Sequence, residues 1–253
     1  MGKEAKSTVV GAAGIVVLLV VWELLVRMGA VPNYLLPSPT QIVEALVEDA
    51  PLMAQHAMWT LLEAMIGLLI GVAVGFVFAV LMDTFEIFAM LMNPILTLSQ
   101  TVPSVAIAPL LVLWFGYGLV PKVFLVVATT FFPVTVSLAS GFASVDPDLI
   151  DLMRTMKATP FQIFWKVKIP AAAEPFFSGL CISATYAIIS AVIAEWLGGF
   201  MGLGVYMTRV RKSFSYDRMF ASIIVISICS VLLMRVVDLL ERISMPWKKA
   251  TER

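Results

Sequence analysis

Side chains that commonly carry out catalysis are scarce in this sequence. His56 is its only histidine, so a metal site with two histidines cannot be built within one chain. Cys181 and Cys229 both fall in apolar runs, where a thiol behaves as a small hydrophobic group, and their spacing matches no metal-binding pattern. The phosphate-binding motif Gly-x-x-x-x-Gly-Lys-Ser/Thr does not occur. We therefore predict that the chain is not an enzyme, holds no metal or cofactor, and does not itself hydrolyse ATP.

The composition indicates that water is not the main solvent of this chain. Of its 253 residues 60% are hydrophobic and 13% are charged, with a mean hydropathy of +0.98, whereas a soluble domain carries about 25% charge. Several apolar runs approach the length of about 20 residues that a membrane-crossing helix needs. Lys and Arg total 17, as do Asp and Glu, so net charge does not indicate nucleic-acid binding. The sequence predicts a single all-α integral membrane domain over residues 1–253, embedded in the lipid bilayer.

The apolar runs predict a polytopic bundle of about six transmembrane helices, with a core at about 58–240. The first run is too long for a signal peptide and lacks a small-residue cleavage site, so we expect a retained helix. Prolines break the chain over 31–39, and Thr40 is the expected cap of an interfacial segment at 40–49. A Gly-rich, basic loop is expected at 198–218. The predicted spans are 9–28, 58–82, 88–115, 119–143, 176–197 and 219–240.

Two of these spans carry residues that restrict their packing. Gly67, Gly71 and Gly75 are spaced by four, so they share one helix face that another helix can approach closely. The region 88–115 contains Pro94, Pro103 and Pro109, which free backbone groups that must be satisfied by protein or by water in a cavity. We expect that region to line the interior of the bundle.

The stretch 144–170 is too structured for a simple connector. Asp146 followed by Pro147 is a strong helix start, and Leu149, Leu152, Met153 and Met156 recur at helical spacing. A break at residues 158–160 predicts a second short helix in which Phe161, Phe164 and Trp165 face one way. Two short helices that meet at a turn would present a compact projection at the end of the bundle.

This stretch resembles the cytoplasmic EAA loop of type I ABC importer permeases, and we call it the EAA-like loop. The usual pattern is Glu-Ala-Ala, a glycine a few residues on, and a terminal Leu-Pro. Asp151 stands at the Glu position, Leu152 and Met153 at the Ala positions, and Arg154 at the usual Arg. Ala158-Thr159 follow the glycine position, and Ile169-Pro170 match the terminal pair. Lys157 stands where the family has glycine.

Further motifs are similar in order to the nitrate, sulfonate and taurine group of these permeases, over about residues 34–240. They include Leu36-Pro37-Ser38-Pro39, the segment 103–110 with Trp114-Phe115-Gly116, Phe132-Pro133, Ser144–Pro147, and Ala194-Glu195 followed by Gly202-Leu203-Gly204. The segment 194–214 looks most like permeases for vitamin precursors, such as the thiamine pyrimidine or riboflavin.

The resemblance implies a permease subunit in a bacterial plasma membrane. A second copy, expected as a homodimer, would complete the solute pathway. A cytoplasmic ABC ATPase dimer would bind ATP-Mg, and an extracytoplasmic solute-binding protein would deliver a small organic solute. The resemblance places the contact with the ATPase on Asp151, Arg154, Thr155, Met156, Lys157, Ala158, Thr159, Pro160 and Phe161. The alternative for this loop is an amphipathic helix on the membrane surface.

Polar residues at membrane depth are costly, so they are functional hypotheses by default. The candidates for a solute path are Ser99, Gln100, Ser104, Ser183, Tyr186, Ser190 and Glu195. The alternative for each Ser is a hydrogen bond between helices, worth about 0.6–2 kcal/mol. Glu63 lies near a span end, where contact with water or headgroups would explain it.

Two other function classes remain open, a membrane-embedded enzyme and a passive channel. The first lacks catalytic residues, and the second gives no reason for the EAA-like loop. Basic residues concentrate in segments such as 154–168 that an inward N-terminus places in the cytoplasm, so we expect both termini there and 198–218 outside.

Overall fold

The computed structural model describes residues 3–32 and 35–246, with side chains from residue 13 onward, and these residues form helices and connecting turns without a strand. One turn of the chain, Phe164–Lys168, is π-helical. The helices are α1 Lys3–Arg27, α2 Pro39–Glu48, α3 Ala50–Thr84, α4 Glu86–Ser99, α5 Ser104–Phe115, α6 Leu119–Ala143, α7 Pro147–Thr155, α8 Pro160–Ile163, α9 Ile169–Leu197, α10 Leu203–Lys212 and α11 Tyr216–Ser244. The all-α prediction is confirmed.

Four helical segments within the described residues are long and apolar enough to cross a membrane: α3, α6, residues 160–197 and α11. The pair α4 and α5 is bent by 101° and could supply a fifth span. The first predicted span, 9–28, corresponds to α1, which has 25 residues. The predicted count of about six is loose, since four spans, or five with the bent pair, are supported among the described residues. Asn33, Tyr34 and the basic C-terminal residues Lys248, Lys249 and Arg253 lie outside the described part of the chain.

The core of the bundle forms where α6 packs between α3 and α9. The glycine face of α3 lies on α6, because a Cβ at Gly67 would collide with Val126 and one at Gly75 would lie 3.0 Å from the Val134 side chain. Small residues thus let two backbones approach closely, as expected. The partner of this face is a helix of the same chain.

The start of α2 differs from the prediction. Ser38 caps the helix, since its hydroxyl accepts a hydrogen bond from the Gln41 N–H at 3.3 Å, and the Gln41 side chain accepts one from the Ser38 N–H at 2.9 Å. Pro39 fits the first helical position because no donor is needed there. The predicted cap, Thr40, instead donates to Glu23 at 2.8 Å and so ties α2 to α1. Ile42 is buried, whereas Val43 and Val47 of the same helix are exposed.

The bent pair does not occupy the interior of this chain's bundle, contrary to our expectation. Only Leu96 of α4 and Ala108 and Leu111 of α5 are buried. Pro94 and Pro109 lie inside the two helices, and the chain breaks between them at residues 100–103. The pair therefore lies at the periphery, with most of its apolar side chains uncovered.

The predicted loop at 198–218 is largely helical. Gly198, Gly199 and Gly202 have φ of 157°, 159° and 121°, and α10 begins directly after them. Because Leu203 and Val210 are buried, α10 packs onto the bundle rather than extending into solvent.

Candidate functional site

The first helix of the EAA-like loop forms as its sequence predicts. The Asp146 carboxylate caps α7 by accepting a hydrogen bond from the Asp148 N–H at 2.9 Å, and Pro147 takes the first helical position. Arg154 pairs with Asp151 at 3.1 Å on an exposed surface. No residue of α7 is buried, so this helix projects from the bundle without being packed into it.

The turn after α7 has a geometry that usually requires glycine. The Lys157 N–H donates to the Arg154 carbonyl at 2.9 Å and the Ala158 N–H to the Met153 carbonyl at 3.0 Å, which is the pattern of a Schellman motif. Lys157 has φ of +60°, in the left-handed region. The turn therefore has the left-handed conformation that glycine adopts most easily, although the residue is lysine.

The second half of the loop is not a separate short helix. Thr159 caps α8 through reciprocal hydrogen bonds with Gln162, at 3.3 and 2.9 Å, but the chain then runs through the π-helical turn directly into α9. Residues 160–197 form one span candidate of 38 residues. The fifth span was predicted to start at 176, but α9 begins at Ile169, with Pro170 in its first turn, where proline is tolerated.

The predicted coupling residues lie together on the surface of this projection. Met156 is 70% exposed and Phe161 is 71% exposed, while Leu152 and Trp165 are more than half exposed. Phe161 and Phe164 both contact the Trp165 ring, with centroids 6.0 and 5.9 Å apart. Phe164 also packs on Phe142 of the core, with centroids 5.5 Å apart, so it does not share the outward face of Phe161 and Trp165. The loop thus presents apolar side chains that the rest of this chain does not cover.

The second candidate site surrounds Glu195, which is 1% exposed. Its carboxylate accepts hydrogen bonds from the Thr60 hydroxyl at 2.8 Å and from the Gly204 N–H at 2.6 Å. The Gly202 N–H donates to His56 Nδ1 at 3.0 Å, and the Leu203 N–H donates to Thr60 at 2.8 Å. These contacts bind the α9–α10 turn to α3.

Glu63 and Lys122 belong to the same buried region, which sequence reasoning missed. The Lys122 ammonium lies 2.7 Å from Glu63 and 3.3 Å from the Met201 carbonyl, and both side chains are at most 6% exposed. Contact with water or headgroups therefore does not explain Glu63. The spacing of His56, Thr60 and Glu63 by four and three residues puts them on one helix face, and this signal could have revealed the cluster.

The other solute-path candidates fall into two groups. Ser183 donates to the Thr130 carbonyl at 2.8 Å, and Ser190 lies 2.8 Å from the Thr129 hydroxyl, so both make the hydrogen bonds between helices that were the alternative reading. Tyr186 of the same helix is 48% exposed. At the α4–α5 break Gln100 is exposed, Ser104 is half-buried, and Ser99 donates to the Leu96 carbonyl at 2.7 Å.

Comparison with known proteins agrees with this geometry. Residues 53–247 match the model of a family described as binding-protein-dependent transport system inner membrane components. A probable ABC transporter permease of Haemophilus influenzae is 39% identical, over 84% of this chain and 88% of the relative. The formylaminopyrimidine transport permease ThiX of Halalkalibacterium halodurans is 38% identical, over 92% and 93%. A solved amino acid ABC transporter superposes with a TM-score of 0.62 at 20% identity, over 78% of this chain and 96% of the other, which shows a shared fold.

Proposed function

The chain belongs to the family of binding-protein-dependent transport system inner membrane components and is a permease subunit of an ABC importer, and from this we propose that its EAA-like loop docks the ATPase. ATP hydrolysis takes place in a separate subunit in this family, so the permease is not itself an enzyme. The alternatives of a membrane-embedded enzyme or a passive channel are not favoured.

The observation that carries the docking proposal is the exposed apolar surface of the EAA-like loop. Met156 and Phe161 project beside a turn that has the left-handed geometry at Lys157. Burying a large apolar side chain stabilises by about 1.5–3 kcal/mol, so this surface should be covered in the working protein. A groove on the ATPase would cover it and would also receive the charged pair Asp151 and Arg154. A membrane surface would cover only the apolar side chains.

Adding a charge to this surface separates the two possibilities. We expect Met156→Glu and Ala158→Glu to leave the permease inserted in the membrane but to weaken ATPase binding by about tenfold or more, as loss of one buried apolar side chain implies. ATPase co-purification and ATP hydrolysis by the assembled complex measure this. Ser213→Glu adds the same charge at an exposed site next to α10 and serves as the control. Normal ATPase binding by both loop variants would contradict the docking proposal and favour the membrane surface.

We further propose that the solute is a pyrimidine-type vitamin precursor, delivered by an extracytoplasmic binding protein. The support is the 38% identity over 92% of this chain with a permease named for formylaminopyrimidine transport. A thermal-shift screen of the partner binding protein should show stabilisation by formylaminopyrimidine. Stabilisation by a sulfonate or by riboflavin alone would redirect the assignment.

Two copies of this chain, with both termini in the cytoplasm of a bacterial cell, complete the proposed assembly. In it the α4–α5 break of each copy, with Ser99, Gln100 and Ser104, contributes to the solute path. The uncovered apolar surface of α4 and α5 agrees with their contacting a second copy or lipid.

A further inference from the structure

The EAA-like loop connects to the rest of the bundle through an ion pair at its base. The Lys168 ammonium lies 2.6 and 2.8 Å from the two carboxylate oxygens of Asp83, and the side chains are 20% and 16% exposed. Of the ion pairs among the described residues, this one joins the segment 144–168 of the EAA-like loop to another part of the chain. The loop's other ion pair, Arg154 with Asp151, is internal to it.

Both residues of this ion pair lie where the chain passes from one helix to the next. Lys168 is the last residue of the π-helical turn, which interrupts the helix between α8 and α9. Asp83 lies in the last turn of α3, and only Phe85 separates α3 from α4. Wide π turns within helices occur frequently at functional sites because they locally change the helical register. The ion pair therefore links the π-helical turn at the base of the EAA-like loop to the short connection between α3 and α4.

The packing on either side indicates which parts can move. α7 has no buried residue, so a force on the loop reaches the bundle through its two chain connections, to α6 at residues 144–146 and to α9 through α8 and the π-helical turn. On the other side of the ion pair, α4 buries only Leu96, so it is weakly held against its neighbours. α4 leads to the break at residues 100–103, next to the proposed solute-path residues Ser99 and Ser104.

We infer that Asp83 and Lys168 are positioning residues that transmit movement of the EAA-like loop to α4, and through α4 to the α4–α5 break. This inference rests on the proposed function, in which the loop contacts the ATPase. The two charges are held close and partly shielded from water, so they resist separation more than a fully exposed pair would. Displacement of the base of α9 would then carry the α3–α4 corner with it.

The test measures the accessibility of the α4–α5 break and needs no knowledge of the solute. Cys181 and Cys229 are replaced by Ala, and Gln100→Cys provides an exposed thiol at the break. The complex of permease and ATPase is reconstituted in lipid nanodiscs, and the rate of labelling by a fluorescent maleimide is measured without nucleotide and after trapping with ATP and vanadate. We compare the parent with Asp83→Asn, with Lys168→Gln, and with the exchange Asp83→Lys plus Lys168→Asp.

We expect nucleotide to change the labelling rate several-fold in the parent. Each single variant should lose most of that change while binding the ATPase as the parent does, and the exchange variant should regain it. A nucleotide response that persists in both single variants would overturn the inference, as would a parent without a response or an exchange variant without recovery. Loss of ATPase binding in the single variants would also overturn it, because the pair would then serve assembly. Failure of the docking proposal is distinct, since it would appear as retained ATPase binding in Met156→Glu and Ala158→Glu.

Discussion

At the scale of single residues, Lys157 is held in a conformation that its side chain disfavours. A residue with a Cβ loses about 1–2 kcal/mol in the left-handed region, whereas glycine does not. Two hydrogen bonds across the turn, from the N–H groups of Lys157 and Ala158, keep the residue there. Lysine has no backbone advantage over glycine at this position. Any benefit of lysine for docking would therefore come from its side chain.

Three substitutions at this position separate backbone from charge. Lys157→Gly should stabilise the turn by about 1 kcal/mol, Lys157→Asn should be nearly neutral, and Lys157→Val should destabilise it because β-branched residues avoid this region. All three remove the charge. ATPase affinity measured by titration should therefore fall in the order Gly, Asn, Val if turn geometry controls docking. Equal weakening in all three variants would assign the effect to the lost charge.

At the scale of helices, close approach of α3 and α6 holds the bundle together. A Cβ placed on Gly71 would collide with the Thr130 hydroxyl and lie 3.2 Å from the Thr130 Cβ and 3.4 Å from the Phe131 nitrogen. Helices in lipid associate through packing rather than through a hydrophobic driving force, so this contact cannot be replaced by burial elsewhere.

Overpacking this contact should loosen the bundle. We expect Gly71→Ala to lower stability by about 1–3 kcal/mol and Gly71→Leu to lower it further, as measured by thermal unfolding in detergent. Thr130→Ala combined with Gly71→Ala removes the colliding hydroxyl and should recover part of the loss. Gly14→Ala is the matched control, since a Cβ there meets nothing within 4 Å. Equal stability of Gly71→Ala and Gly14→Ala would mean that α3 and α6 are not in this close contact.

At the scale of the whole molecule, the long helical segment 160–197 separates the EAA-like loop from the buried cluster around Glu195. Its 38 residues would extend about 57 Å at the α-helical rise, more than the hydrocarbon core of about 30 Å. The EAA-like loop lies before this segment, and the buried cluster of Glu195, Thr60, Glu63 and Lys122 lies at its far end. If this segment spans the bilayer, the proposed docking loop and the buried cluster lie on opposite faces of the membrane.

Reciprocal labelling of intact cells tests this arrangement and the proposed orientation. In a background without Cys181 and Cys229, Ser213→Cys should react with an impermeant thiol reagent before lysis, because the proposed orientation places the end of α10 on the outer face. The Met156 side chain is 70% exposed, so a thiol at this position is accessible. Met156→Cys should nevertheless react only after lysis. The reverse pattern would place the EAA-like loop outside and contradict the ATPase docking proposal.

Local features of the chain were predictable because local physics determines them. Apolar runs long enough for a bilayer identify α3, α6 and α11, and Leu119–Ala143 forms α6 with the expected bounds. Asp146 and Thr159 start their helices because their side chains satisfy N–H groups a few residues away. The family resemblance of the EAA-like loop also depends on neighbouring residues, including a turn at Lys157.

Contacts between distant residues were decided only by the tertiary structure. Glu195 reaches Thr60 across 135 positions, Lys122 reaches Glu63 across 59, and Lys168 reaches Asp83 across 85. From the sequence, Glu195 suggested a solute path and Glu63 suggested contact with water or headgroups, because helical periodicity says which face a residue occupies but not which helix lies opposite. That choice depends on how close the glycine face of α3 allows α6 to approach, and on where the α9–α10 turn then falls. A buried charge is tolerated only with a partner, so the packing of the bundle determined which partner each of these side chains met.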